Sequence, residues 1–322
     1  MRPKFIITKL LGSFATLAFV VVFNFFLFRV VATDPVANLF RGRQLTQEQR
    51  EELIREFGLD GSLLHQFWNY VQQTASLNFG RSYLTNEPVM SEIADKAPAT
   101  LALVGVSAIL SAVFGVMIGI AAAWRRRTGF DYAATTSTMT LYSMPEFWLG
   151  MLLLSFFAVS LGWFPIGGLE DPTSDATGFA LLADQAKHMF LPALTLTLAY
   201  LGEYALVMRS SLLDTMREDY LVLARAKGLR DIAVRNRHAV PNALLPVATL
   251  LAINIGLVLS GAITVETIFS WPGLGLATYE SIQGPDLPML QGLFLVFSAS
   301  VIVFNLLADV VYLALDPRVR TA

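Results

Sequence analysis

Six long apolar stretches, at residues 10–32, 98–124, 132–164, 188–208, 244–269 and 290–315, constrain this chain more than any motif does. Each reaches about 20 residues, the length an α-helix needs to cross the hydrocarbon core of a bilayer. Backbone polar groups find no water there, so a predominantly apolar run of this length closes its hydrogen bonds internally, as a helix. Composition agrees: 55% of the 322 residues are hydrophobic and 15% are charged, against about 25% charged in soluble domains. The expected fold class is an all-α integral membrane protein with six transmembrane helices. The first run follows Arg2, Lys4 and Lys9, but it is too long for a signal peptide and lacks a clear small-residue cleavage site, so it is read as a retained span.

Basic residues resist translocation and mark the cytoplasmic side. Three precede the first span, three follow the second at Arg125, Arg126 and Arg127, seven lie between Arg209 and Arg237, and Arg318 and Arg320 close the chain. These are 15 of the 23 basic residues, all at alternate ends of the spans, which predicts that both termini are cytoplasmic. The chain then divides into residues 1–32 (tail and first span), an outer loop at 33–97, and a five-helix part at 98–322 with an inner loop at 209–243.

Several function classes are excluded early. There is no cysteine, hence no disulfide, zinc-thiolate site or cysteine nucleophile, although redox compartment stays open. The net charge of −2 argues against general nucleic-acid affinity. His65, His188 and His238 are scattered over three segments, so no metal site is expected. No G-x-x-x-x-G-K-[ST] loop is present, so the chain is not expected to hydrolyse ATP or to carry catalytic residues.

The outer loop carries two helix patterns. Thr46 and Gln49 have capping-box spacing, with Leu53, Ile54 and Phe57 on one face and Gly58 as a stop. Leu63, Leu64, Phe67 and Val71 follow at helical spacing, with Trp68 and Tyr70 at the flank. Such helices lie on the bilayer surface or cap the outer mouth and meet a partner; both readings stand.

The inner loop has a more specific pattern. From Leu213, the apolar positions Met216, Tyr220, Leu223 and Ala224 alternate at helical spacing with Asp214, Arg217, Glu218, Asp219, Arg225 and Lys227, and Gly228 supplies a stop. After nine intervening residues beyond Gly228 comes His238-Ala239-Val240-Pro241, then Asn242 and Pro246 where the chain re-enters the apolar phase. Proline tolerates the first turn of a helix, so re-entry starts here.

This spacing resembles the cytoplasmic loop signature of ABC importer permeases, and the fuller text resembles the dipeptide and oligopeptide branch of that family. The residues that carry it are Glu218-Asp219-Tyr220, Ala224-Arg225-Ala226-Lys227-Gly228-Leu229 and Arg237-His238-Ala239. Further matches run along nearly the whole chain. They are Phe57-Gly58-Leu59-Asp60, Asn78-Phe79-Gly80-Arg81-Ser82, Leu191-Pro192-Ala193-Leu194-Thr195-Leu196, Arg209-Ser210-Ser211, Glu266-Thr267-Ile268-Phe269-Ser270-Trp271-Pro272-Gly273-Leu274-Gly275, and Asp309 with Asp316-Pro317-Arg318. One departure stands out: Val222-Leu223-Ala224 replaces the signature's Glu-Ala-Ala, so any carboxylate serving an ATPase contact comes from Glu218 or Asp219.

The resemblance implies a type I ABC importer permease fold, with the long outer loop pointing to the first of two permease subunits. It implies as partners a second homologous permease, two ABC ATPases, an extracytoplasmic substrate-binding protein and membrane lipid, but no nucleic acid. ATP and Mg belong to the ATPase subunits; none is expected on this chain. It further implies an ATPase-coupling element made of Glu218, Asp219, Tyr220, Leu223, Ala224, Arg225, Ala226, Lys227, Gly228, His238 and Pro241. The implied localisation is a bacterial or archaeal cytoplasmic membrane. The branch handles dipeptides, oligopeptides, nickel complexes, glutathione and haem, so cargo stays open.

Carboxylates inside spans are costly unless they face a cavity or a partner. Glu146 and Glu203 are therefore candidates to line a translocation path, against the plainer readings that Glu146 caps a proline-broken helix and Glu203 points to the interface. Glu266 and Asp309, near span ends, read as interfacial structural groups, and Asn254 and Asn305 as interhelical hydrogen-bonding groups. The competing function class is a self-sufficient ion-coupled carrier using Glu146 and Glu203 as a proton relay; it expects matched broken helices in two halves. A membrane scaffold without transport leaves the inner loop unexplained.

Overall fold

A computed structural model describes residues 3–31 and 61–315. The first expected outer-loop helix, from Thr46 to Gly58, lies outside the described residues, as do the matches at 57–60 and 316–318. Among the described residues the structure is helix and turn, with one isolated β-type pairing between Arg81 and Pro88. The helices in chain order are α1 (Pro3–Phe25), α2 (Leu63–Ala75), α3 (Val89–Trp124), α4 (Gly129–Ser143), α5 (Glu146–Leu153), α6 (Phe179–Thr215), α7 (Asp219–Ala226), α8 (Val240–Gly261), α9 (Ile263–Ile268), α10 (Leu274–Gln283) and α11 (Leu287–Leu315). Wider π-helical turns extend α1 through Phe26–Val31 and α5 through Leu154–Ser160, and another, Val234–Ala239, leads into α8.

Four helical stretches are long and apolar enough to cross a bilayer: Ile7–Phe28, Val89–Trp124, Phe179–Thr215 and Leu287–Leu307. The bent pair Gly129–Ser143 and Glu146–Ser160 makes a fifth if counted as one span. The stretch at 244–269 falls on α8 and α9. At about 1.5 Å per residue, the 36 residues of α3 and the 37 of α6 exceed a 30 Å hydrocarbon core, so both extend beyond it.

The expected single span at 132–164 is instead two helices that meet at 101°. Met144, at φ −79° and ψ 135°, is extended. The cause is local: Pro145 lacks an N–H and its ring disfavours helical backbone at the preceding residue. Glu146 then opens the second helix.

The residues divide into two compact units, one from 1–98 and 273–302, the other from 99–272 and 303–322. In the first, Val89, Ile93, Leu274, Ala277, Met289 and Leu293 form one buried cluster. A second cluster joins Phe25 of α1, Tyr70 of α2 and Leu295 of α11. Ser62 caps α2 by accepting a hydrogen bond from the His65 amide. The buried face of α2 is not the expected one: Phe67, Tyr70 and Val71 turn inward, whereas Leu63 and Leu64 are exposed. The Tyr70 hydroxyl decides this, because it accepts a hydrogen bond from Asn24 Nδ2 at 2.9 Å. Asp286 pins the loop after α2, accepting hydrogen bonds from Ser82 Oγ and from the Met289 amide at the start of α11.

In the second unit, α4 and α6 run antiparallel, since Asp131 meets Arg209 and Thr138 meets Gly202; beyond the bend, Glu146 of α5 meets Tyr200 of α6. Gly115 and Gly119 of α3 form a Gly-x-x-x-Gly stripe against α6. A Cβ at Gly115 would lie 2.6 Å from Tyr204 Cβ, and one at Gly119 2.6 Å from the Ala205 carbonyl oxygen. Helices in lipid gain contact mainly by such close backbone approach. Glu266 is fully buried rather than interfacial and accepts a hydrogen bond from Thr100 Oγ1 at 2.7 Å. Trp271 is likewise buried, donating from Nε1 to the Ala99 carbonyl at 2.9 Å.

Candidate functional site

The inner-loop helix is shorter than its periodicity suggests. Instead of one amphipathic helix from Leu213, α6 runs to Thr215, a turn follows, and α7 starts at Asp219, with Glu218 extended as its cap. The turn changes which residues face inward. Leu221 and Ala224 are buried in a core with Met208 and Leu212 of α6, Ala123 of α3, Val234, and Ala243 of α8. Tyr220, Val222 and Leu223 are exposed. Ala224, one of the apolar positions assigned to the coupling element, therefore belongs to this chain's own core, while Val222 stands on the open face. Glu218, Asp219, Arg225, Ala226 and Lys227 are also exposed. Arg225 reaches Asp231 at 3.7 Å, a solvated pair of little energetic weight.

Helix α7 ends in a Schellman motif. The Gly228 amide donates to the Arg225 carbonyl and the Leu229 amide to the Ala224 carbonyl, with Gly228 at φ +81°. Only glycine holds that conformation without strain, which is why the pattern stops there. Beyond it, Pro241 sits in the first turn of α8, as expected from its position. Asn242 Nδ2 donates to the Tyr220 hydroxyl at 3.1 Å and to the His238 carbonyl at 2.8 Å, tying α7 to the start of α8. Burial raises the pKa of the Tyr220 phenol, opposed by the Asn242 hydrogen bond. Sequence reasoning missed Asn242 as a brace because nothing in local spacing says what an exposed asparagine meets.

Inside the spans, the two carboxylates have neutral partners. Tyr200 donates to Glu146 Oε1 at 3.0 Å, and Asn254 donates to Glu203 Oε2 at 3.0 Å and reaches the Tyr204 hydroxyl at 3.4 Å. Tyr200, Glu203 and Tyr204 all lie on α6. Both glutamates are half-buried. Asn254 is thus an interhelical group, joining α8 to α6. Among the described residues no group of three or more His, Asp and Glu side chains comes together to hold a metal ion.

The chain matches the family of binding-protein-dependent transport system inner membrane components over residues 115–321, and the N-terminal part of the same membrane components over residues 2–104. It belongs to this family. The permease is 37% identical over 315 residues to the di/tripeptide transport system permease protein DppB of Pseudomonas aeruginosa (strain UCBPP-PA14), covering 94% of each chain. It is 37% identical over 318 residues to the glutathione transport system permease protein GsiC of Escherichia coli (strain K12), covering 98% of this chain and 99% of that one. Among solved structures, the inward-facing MetNI methionine ABC transporter aligns with a TM-score of 0.58 and 16% identity, over 70% of this chain and 97% of the other.

The permease therefore has a type I ABC importer fold and is a membrane-embedded transport subunit without enzymatic activity of its own. Permeases of this kind work with ATPases and a substrate-binding protein. This sets aside the self-sufficient carrier, although one broken helix, at Met144 and Pro145, does occur.

Proposed function

We propose that this permease forms half of the translocation path of an ATP-driven importer of short peptides. The observation that carries the cargo class is full-length similarity to two peptide-type permeases, one named for di- and tripeptides and one for glutathione. The second half of the path comes from a homologous permease, the energy from two ATPases that hold ATP and Mg, and the cargo from an extracytoplasmic binding protein. Both termini lie in the cytoplasm of a bacterial or archaeal cell.

The open face of α7, with Tyr220, Val222 and Leu223 flanked by Glu218 and Asp219, suits a groove on an ATPase as a helix-in-groove contact. Because Leu221 and Ala224 on the opposite face pack against α6 and α8, displacement of α7 moves the spans with it. Glu146 and Glu203 line the path. ATP acts only through its different affinity for the two states of the ATPase pair.

The test is reconstitution of the complex in proteoliposomes with its binding protein, following ATP-dependent uptake of dialanine and glutathione. Uptake of either that requires ATP and both permeases supports the reading. Uptake by this chain alone, or of neither peptide while ATP hydrolysis responds to another cargo, overturns it.

A further inference from the structure

Glu146, Tyr200, Glu203, Tyr204 and Asn254 form one polar set inside the spans, and it lacks a cation. Among the described residues, neither carboxylate pairs with a basic side chain; the ion pairs formed there involve Glu92, Asp184, Asp131 and Asp231. Tyr200, which holds Glu146 at 3.0 Å, lies one helical turn from Glu203 on α6, so both carboxylates attach to one short stretch of that helix. Neutral donors such as Tyr200 and Asn254 hold each carboxylate but do not cancel its charge. A second observation is independent of the glutamates. Thr197, at 4% exposure, lies one turn from Tyr200 and two from Tyr204 on the same face of α6. Its Oγ1 has no hydrogen-bond partner among the described residues.

We propose that this set is a binding station for a primary ammonium group, the amino end of a peptide, and this rests on the reading that Glu146 and Glu203 line the path. An ammonium brings the missing charge, and its three donors suit two carboxylates and a phenol oxygen. The adjoining amide of the cargo then has the Thr197 hydroxyl to bond. A hard divalent cation fits less well, since it takes six or more oxygens and the set offers two carboxylates with neutral groups. Tyr200 and Asn254 hold the glutamates while the station is empty and yield them when cargo arrives. Tyr204, which Asn254 also touches, packs in the same core as Leu221 and Ala224 of α7, so a shift of α7 reaches the station directly.

The experiment is saturation-transfer NMR on the full transporter complex, purified through a tag on this chain, without its binding protein. The probes are L-alanyl-L-alanine and its N-acetyl form. Wild type should bind the free dipeptide and bind the acetylated one about tenfold or more weakly, the usual range for losing a charge-assisted contact. The Glu146→Gln and Glu203→Gln double variant should lose that preference while the complex captured through the tag still contains all its subunits. Equal binding of both probes by wild type, an unchanged preference in the variant, or no wild-type signal overturns the station. Uptake separates the two failures: if the variant transports as wild type, the path reading falls too, whereas reduced uptake with no ammonium preference removes only the ligand class.

Discussion

Arg209 grips Asp131 with two donors along one edge of its guanidinium, Nε donating to Oδ1 at 2.7 Å and Nη2 to Oδ2 at 2.9 Å. The pair locks α6 to the first turn of α4. The Asp131 side chain is 4% exposed and that of Arg209 is 28%. Removing one partner of a buried pair costs about 3–5 kcal/mol, much of it from the charge left behind. The partial exposure of Arg209 lowers this to about 1–3 kcal/mol. Arg209→Met should reduce the melting temperature in detergent more than Arg209→Met with Asp131→Leu does. Equal melting of the two would mean that the stranded carboxylate is not the cause.

The Gly-x-x-x-Gly stripe gives a contrast within one helix. Gly115→Ala and Gly119→Ala place a methyl 2.6 Å from α6, whereas Gly105→Ala meets nothing within 4 Å. Overpacking costs about 1–3 kcal/mol, so the first two should destabilise and Gly105→Ala should be neutral. Similar melting curves for all three would show that α3 and α6 do not pack this closely.

Neighbouring leucines on α7 should separate folding from docking. Leu221→Ala opens a cavity in the core, at about 2–5 kcal/mol. Leu223→Ala removes only an exposed side chain and should melt like wild type, yet weaken ATPase capture in pull-down assays. If Leu223→Ala retains full capture, the open face of α7 is not the docking face.

Gly228→Asp should insert in the membrane but lose uptake and cargo-stimulated ATP hydrolysis. Since nothing lies within 4 Å of an added Cβ, the harm comes from the φ of +81° and not from crowding within the chain. The left-handed conformation costs a residue with a Cβ about 1–2 kcal/mol. Asparagine tolerates it better, so Gly228→Asn should keep more coupling than Gly228→Asp. Normal coupling in Gly228→Asp would remove α7 from the energy path.

Orientation is open to labelling. A cysteine placed at Gly80 should react with an impermeant reagent outside the cell, and one at Lys227 only after the membrane is opened. The reverse pattern would invert both termini.

Much of this protein is written in local sequence. Hydropathy runs and the stop at Gly228 each depend on a few adjacent residues, so membrane class, the positions of four apolar spans and the end of α7 could be read from them. Long-range partners could not. Periodicity grouped Tyr220, Leu223 and Ala224 on one face, but a turn after Thr215 and packing against Met208 and Leu212 decided that Leu221 and Ala224 face inward. Hydropathy placed Glu146 and Glu203 inside spans, while only the packing of α5 and α8 against α6 supplied Tyr200 and Asn254 as their partners. A helix of mixed polarity satisfies its own backbone whichever way it is rotated; the direction of each side chain is set by what the rest of the chain brings alongside, and that information is spread over separations such as the 78 residues between Asp131 and Arg209.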